Sequence, residues 1–373
     1  MIPKDVFGRT GHKSSRVIFG GYALSQATQN EGDRVLEILL KYGINHIDTA
    51  PMYGNSEKCI GAWMDKHRSD FFIATKSRHR TYREAWEDLQ HSLDLLRVDY
   101  VDLWQLHGLT NPAGWETAIG PGGALEAFIE AREKGLVRFL GVTGHSDATP
   151  VIHKKSLEHF NFDSVMLPYS YCQMQNSRYE RDFNGLIEFC HTRNVAIQTI
   201  KSIARRPWVD RPKNYNTYFY EPLETQDAID LSVYWALGLP GSFVITAGDI
   251  QLLPRILEAA NRYETCPSDA EMDALIEKYD VRPIFTPAPR DKSGKGPQTW
   301  GGRTSRAIDE LIRDGFFRHS GRRTLAQVLE ALEMTGLPVT GRENNVTGSL
   351  AGRVRKGILK KSKIDNQWVY WQE

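Results

Sequence analysis

GINHIDTAPMYGNSEKCIG (43–61), FFIATKSR (71–78) and DYVDLWQLHG (99–108) decide the fold of this chain. In each, an apolar run of β-type residues leads straight into a polar group: Asp48 and Tyr53 in the first, Lys76 in the second, His107 in the third. A parallel barrel gathers such strand ends on one face. Working outward, strand-like runs are expected at 16–19, 45–48, 71–75, 101–106, 137–142, 163–167, 195–199 and 242–246. Stretches with helical periodicity lie between them at 33–42, 82–96, 123–134, 182–191 and 228–237. KYG (41–43) and EKG (133–135) end helices with glycine just past the last basic residue. Eight strands alternating with helices predict an α/β fold, a closed (β/α)8 TIM barrel.

Composition narrows the classes. The chain has 373 residues, 40% of them hydrophobic and 25% charged, enough for a barrel and a smaller unit. A net charge of +1 exerts no general pull toward nucleic acid or membrane. Cys59, Cys172, Cys190 and Cys266 form no CxxC pair, so neither a disulfide framework nor a structural zinc site is expected. All four read as small buried hydrophobes in a reducing compartment. MIPKDVFGRTG (1–11) lacks the apolar core of a signal peptide, and no uncharged run approaches the roughly 18 residues that span a bilayer. A cytoplasmic protein with no membrane partner and no metal is expected.

The alternation stops near Pro283. Residues 1–286 read as the barrel, the Pro- and Gly-rich 287–302 as a linker, and 303–373 as a small α+β domain. From 290 onward there are 16 Lys and Arg against 9 Asp and Glu, a net +7, while the remainder nets −6. Helices are expected at 307–317, 325–336 and 346–357, then short strands in GILKKS (357–362) and QWVYW (367–371). Three helices and a hairpin make a winged-helix-like order.

The four polar residues define a chemistry. A tyrosine near neutral pH is a reluctant proton donor, with an ordinary pKa of about 10. A nearby ammonium, Lys76, is expected to lower the pKa of Tyr53, and Asp48 to keep that lysine charged and fixed. His107 would orient a carbonyl by hydrogen bonding while Tyr53 gives a proton to its oxygen. No side chain supplies hydride, so a nicotinamide cofactor, NADP or NAD, is required.

Residues 4–262 resemble the aldo-keto reductase family: FGRTGHKSSRVIFGG (7–21) is similar to its N-terminal hairpin and first strand, and DTAPMYGNSE (48–57), ATKSR (74–78) and LWQLHG (103–108) resemble its catalytic motifs. The resemblance implies a reductase interconverting a small carbonyl compound and an alcohol, with Tyr53 as general acid and base, Asp48 and Lys76 as its tuners and His107 orienting substrate. It also implies cofactor contacts. Gly20 and Gly21 open a loop carrying Tyr22 toward the nicotinamide. GVTGH (141–145), a form shared by a subgroup of the family, offers Thr143, and Met166 stands where a glutamine is common. In TIKSIARRPW (199–208), Ile200 or Lys201 would lie beside the ring, while Lys201, Ser202, Arg205 and Arg206 face the phosphates. VITAGDIQLL (244–253) brings Thr246, Gly248 and Asp249 to the adenosine end, where the carboxylate favours NAD unless Arg255 and Arg206 reverse that preference.

Trp115, Trp208, Tyr215, Tyr218, Phe219 and Tyr220 lie in the loops that would build the pocket, either lining it or packing those loops on the barrel. For the basic tail, a duplex-binding role through Arg353, Arg355, Lys356, Lys360, Lys361 and Lys363 is weighed against a protein-docking or lid role, and the latter is favoured. A cofactor-binding redox sensor acting through the tail is the alternative to an enzyme. The sequence is compatible with a homo-oligomer.

Overall fold

Eight parallel strands close into a barrel in strict chain order: Val17–Gly20, His46–Asp48, Phe72–Ser77, Val101–Leu106, Val137–Thr143, Ser164–Pro168, Ala196–Ile200 and Ser242–Ile245. The last pairs with the first through Val244 and Val17, which seals the cylinder. This computed structural model describes residues 1–208, 213–285, 300–313, 316–317, 322–334, 343–364 and 367–372. The described chain divides into two compact units, one formed by Met1–Pro207 and Lys213–Phe285, the other by the C-terminal residues from 300 onward. Each strand lies within two residues of its expected position.

Helices were less legible. Tyr82–Leu96 falls where its periodicity places it. Gln29–Tyr42 starts earlier than expected because Thr28 and Glu31 form a reciprocal capping box, and Ser177–Thr192 does so because the Asn176 side chain accepts from the backbone of Arg178 and Tyr179. Ser56–His67, Thr149–His159, Leu253–Asn261 and Asp269–Tyr279 are further helices. The loop expected around Trp115 contains the helix Pro112–Ile119, capped by Asn111 with proline in its first turn.

Inside the barrel, side chains alternate with the period of two that strands impose. The lower layer is apolar and aromatic: Ile18, Phe72, Leu103, Ala196 and Phe243 pack together. An antiparallel hairpin, Lys4–Val6 with Lys13–Ser15, is followed at its first strand by Phe7, whose ring sits 4.9 Å from Phe243 and 5.7 Å from Phe72. Outside, Trp104 stacks on Phe128 with centroids 3.7 Å apart, fixing a helix to the fourth strand. Cys59, Cys172 and Cys190 are buried as expected, whereas Cys266 is exposed, since it lies in the loop between two surface helices.

The second unit contains the helices Trp300–Arg313, Leu325–Met334 and Glu343–Arg355, and a three-stranded antiparallel sheet. Gln367–Trp371 is its central strand, flanked by Arg323–Thr324 and Lys360–Ile364. Ile308, Leu311, Phe317, Val328, Leu332, Val346, Leu350, Leu359 and Tyr370 form its core. The expected linker lies outside the described residues up to 299, and its last three residues instead begin the first helix. Arg353, expected to meet a duplex, is consumed internally: it bonds Asp309 at 2.6 Å and both oxygens of Ser305.

No helix among the described residues is long and apolar enough to cross a membrane. Among those residues no group of three or more His, Cys, Asp or Glu is placed to hold a metal ion.

Candidate active site

Asp48, Lys76 and His107 sit at or just beyond the C-terminal ends of the second, third and fourth strands, so closing the barrel brings them together. Lys76 is completely buried, and its ammonium donates to Asp48 Oδ2 at 2.5 Å and to the Thr49 carbonyl at 2.7 Å. The polypeptide then turns through Ala50–Gly54, presenting Tyr53 beside the pair with its ring centroid 5.0 Å from Lys76 Nζ. Gly54 has φ +53°, and a Cβ there would meet the Ser25 carbonyl oxygen at 2.3 Å, so the turn that aims Tyr53 requires glycine. Tyr53 packs edge-on against His107 at 5.8 Å and Tyr22 at 5.2 Å between centroids.

A polar chain supports this set from below. Gln198 Nε2 donates to Gln105 Oε1 at 2.9 Å, and Gln105 Nε2 donates to Asp48 Oδ1 at 2.8 Å. Gly141 makes room for it: a Cβ there would meet Ser164 Oγ at 2.4 Å and Gln105 Cγ at 3.1 Å. Neither glutamine was singled out from sequence. The available signal was parity, because Gln105 lies two residues before His107, and Gln198 two before Ile200, on the inward face.

Electrostatics correct one expectation. The Tyr53 phenol is pushed well above its ordinary value, first by loss of hydration and then by the Asp48 carboxylate. Loss of hydration is the larger of the two causes, because it penalises the charged phenolate outright. Burial also lowers Lys76 and raises Asp48, with their mutual attraction opposing both trends. His107 is held well below its ordinary value by burial and then by Lys76, Arg78, Arg80 and Lys201, so its imidazole is neutral.

The remaining expected positions divide. Gly20 ends the first strand, Gly21 and Tyr22 follow it, and the Gly20 amide donates to Thr246 Oγ1 at 2.9 Å. A Cβ on Gly248 would meet Tyr22 Cδ1 at 2.6 Å, so these two segments are in contact. The Thr143 hydroxyl is already engaged, accepting from the Gly108 amide at 3.1 Å and donating to the Leu106 carbonyl at 3.3 Å. Met166 and Ile200 are packed in the apolar barrel interior. Ser202 is buried beside Lys201. Lys201 turns inward, its Nζ 3.2 Å from His145 Nδ1.

Three charged positions are already matched. Arg206 is bound by Glu221 at 3.0 Å and by Asp280. Arg205 donates to Glu221 at 2.7 Å. Asp249 is buried and accepts the backbone amides of Asn216 at 2.6 Å and Gln251 at 2.7 Å. Of the loop aromatics, Phe219 stacks on His145 and Tyr218 approaches Tyr22 edge-on, whereas Trp115 packs outside, donating to Ser156 Oγ at 3.0 Å.

The model of the Aldo/keto reductase family matches residues 16–265. The chain is similar to an uncharacterised oxidoreductase of Bacillus subtilis, 31% identical over 156 residues that cover 38% of this chain and 48% of that protein. L-galactose dehydrogenase of Arabidopsis thaliana is 30% identical over 164 residues, 38% of this chain and 49% of that enzyme. The chain thus spans about half the length of these curated relatives. Among solved structures, an aldo-keto reductase of Klebsiella pneumoniae in complex with NADPH has a TM-score of 0.56 at 16% identity, over 77% of this chain and 100% of that one. The holo form of an aldo-keto reductase from Bacillus halodurans has a TM-score of 0.53 at 22% identity, over 79% and 100%. These structural likenesses show the barrel fold.

Proposed function

Because this chain belongs to the aldo/keto reductase family, we propose that it is an NADP(H)-dependent oxidoreductase that interconverts a carbonyl compound and its alcohol, with Tyr53 as general acid and base. The observation that carries this reading is the convergence of Tyr53 with the bonded Lys76–Asp48 pair and a neutral His107 at the strand ends of one barrel. When bound, the nicotinamide supplies hydride to the carbonyl carbon. His107, uncharged, donates a hydrogen bond that orients the carbonyl oxygen. Tyr53 holds its proton firmly and releases it to that oxygen as negative charge develops. Lys76, fixed by Asp48 and Thr49, stands beside the phenol to stabilise the phenolate that remains. Gln105 and Gln198 position Asp48 and touch no reacting atom.

The donor set suits a carboxamide-bearing cofactor. Ser146 Oγ, just after the fifth strand, and both amide atoms of Gln173, just after the sixth, are buried without hydrogen-bond partners among the described residues. These groups, with Gly20, Gly21, Tyr22 and Ser202, would hold the nicotinamide end, and Thr246 and Gly248 the far end. NADPH in the similar Klebsiella structure supports NADP(H).

For the second unit, the order helix, strand, helix, helix, strand, strand supports a winged-helix-like reading. The internal use of Arg353 supports protein docking over duplex binding.

Fluorescence titration with NADPH and NADH, followed by a carbonyl panel with the tighter nucleotide, tests the main proposal. Tighter NADPH binding with turnover of at least one carbonyl is expected. Nucleotide binding with no turnover across aldehydes, ketones and sugars would replace the enzyme by a redox sensor.

A further inference from the structure

Lys201 occupies a place for which the chemistry above has no use. It follows the seventh strand with its backbone in the left-handed region at φ 71°, a conformation a lysine adopts only when its surroundings impose it. The side chain runs inward. Its Nζ lies 3.2 Å from His145 Nδ1, 4.4 Å from the centroid of Phe219 and 5.3 Å from that of Phe285. His145 in turn sets its Nε2 3.4 Å from His107 Nε2, with Phe219 stacked on its ring. A short step therefore leads from the imidazole that orients the carbonyl to a buried amine.

That amine differs from the other buried lysine. Lys76 is matched by Asp48 at 2.5 Å, whereas among the described residues Lys201 has one hydrogen bond, to an imidazole, and two ring faces. The charges acting most on His145 come from Lys201, His107, Lys76 and His153, and those on His107 from Lys76, Arg78, Arg80 and Lys201; none is a carboxylate. Burial brings Lys201 down to about 7, with no anion among the described residues holding its proton. An ammonium offers three donors, and burying it without a counter-charge is costly. A fold that keeps one there beside the reacting group is arranged for an anion that arrives with the ligand.

We infer that Lys201 and His145 form an anion subsite beside His107, and that the carbonyl compound this chain accepts carries a carboxylate. The substrate pair is then an oxo acid and its hydroxy acid. This identity rests on the reductase reading above, and the carboxylate takes no part in bond making.

Two measurements test it separately from that reading. The first compares kcat/KM, with NADPH, for pyruvate, succinic semialdehyde and glutaric semialdehyde against their methyl esters. Wild type should prefer at least one acid over its ester by at least about tenfold, mostly through KM. Lys201→Met should abolish that ratio and Lys201→Arg should retain part of it. Equal ratios in wild type and Lys201→Met, or no preference in wild type, would overturn the inference. The second is calorimetric titration of the NADPH complex with succinate, which needs no turnover. Binding at least about tenfold weaker in Lys201→Met is expected; no binding to wild type overturns the subsite even if esters are reduced. Loss of NADPH affinity in Lys201→Met with the acid preference intact would assign the ammonium to the cofactor instead.

Discussion

The floor and the mouth of the barrel are built on the same strands and obey opposite rules. At the floor, His46, Phe72, Leu103, Ala196 and Phe243 point inward and pack around Phe7. Higher on those strands, Asp48, Lys76, Gln105 and Gln198 point inward and bond to one another. The backbone geometry is shared, so the difference lies in what each layer stabilises. The floor gains from removing apolar surface from water. The mouth keeps charge out of water and is stable only while each group retains its partner.

Breaking a partner at the mouth should therefore have the largest effect. Lys76→Met leaves Asp48 buried without its counter-charge and should cost on the order of 4 kcal/mol in denaturant unfolding. Turnover should be lost with it. Unchanged stability would mean that the pair is not coupled as described. Phe7→Ala, at the floor, should cost about 3 kcal/mol through the cavity it opens. Its remaining folded fraction should keep its kcat, which separates the layers; a fall in kcat at constant folded fraction would show that the floor reaches the site.

Acid sharpens the contrast by a smaller amount. His46 at the floor and His107 and His145 at the mouth are held well below the ordinary imidazole value, and His153 at about 4, with burial the largest cause in each. The unfolded chain gains protons below roughly 6.5 that the folded chain refuses. Stability is thus fully present above that value and is lost as pH falls through it. Each imidazole should cost about 0.7 kcal/mol between about pH 7 and about pH 6. Unfolding midpoints across that interval check the slope, and a flat profile would mean that these rings take up protons in the folded state as readily as in the unfolded one.

The barrel was legible because its strands are dense apolar runs that end in Asp48, Lys76 and His107. The helix Ser56–His67 was hidden because it begins within a motif whose GNSE reads as a turn. Gln105 and Gln198 were hidden inside apolar strands, visible only by counting alternate residues. The partners of Arg206 and Asp249 were hidden too, since Glu221, Asp280 and the Asn216 amide come from other segments of the chain. The direction of the Tyr53 shift was missed because its largest cause is burial, which follows from the packing around the phenol and not from the charges beside it.

The central claim is that Tyr53 moves the proton while other groups bind and orient. Steady-state turnover of Tyr53→Phe, measured beside its NADPH affinity, tests it most directly. Nucleotide binding within about twofold of wild type and turnover reduced at least about a hundredfold are expected. Turnover surviving in that variant would contradict the account.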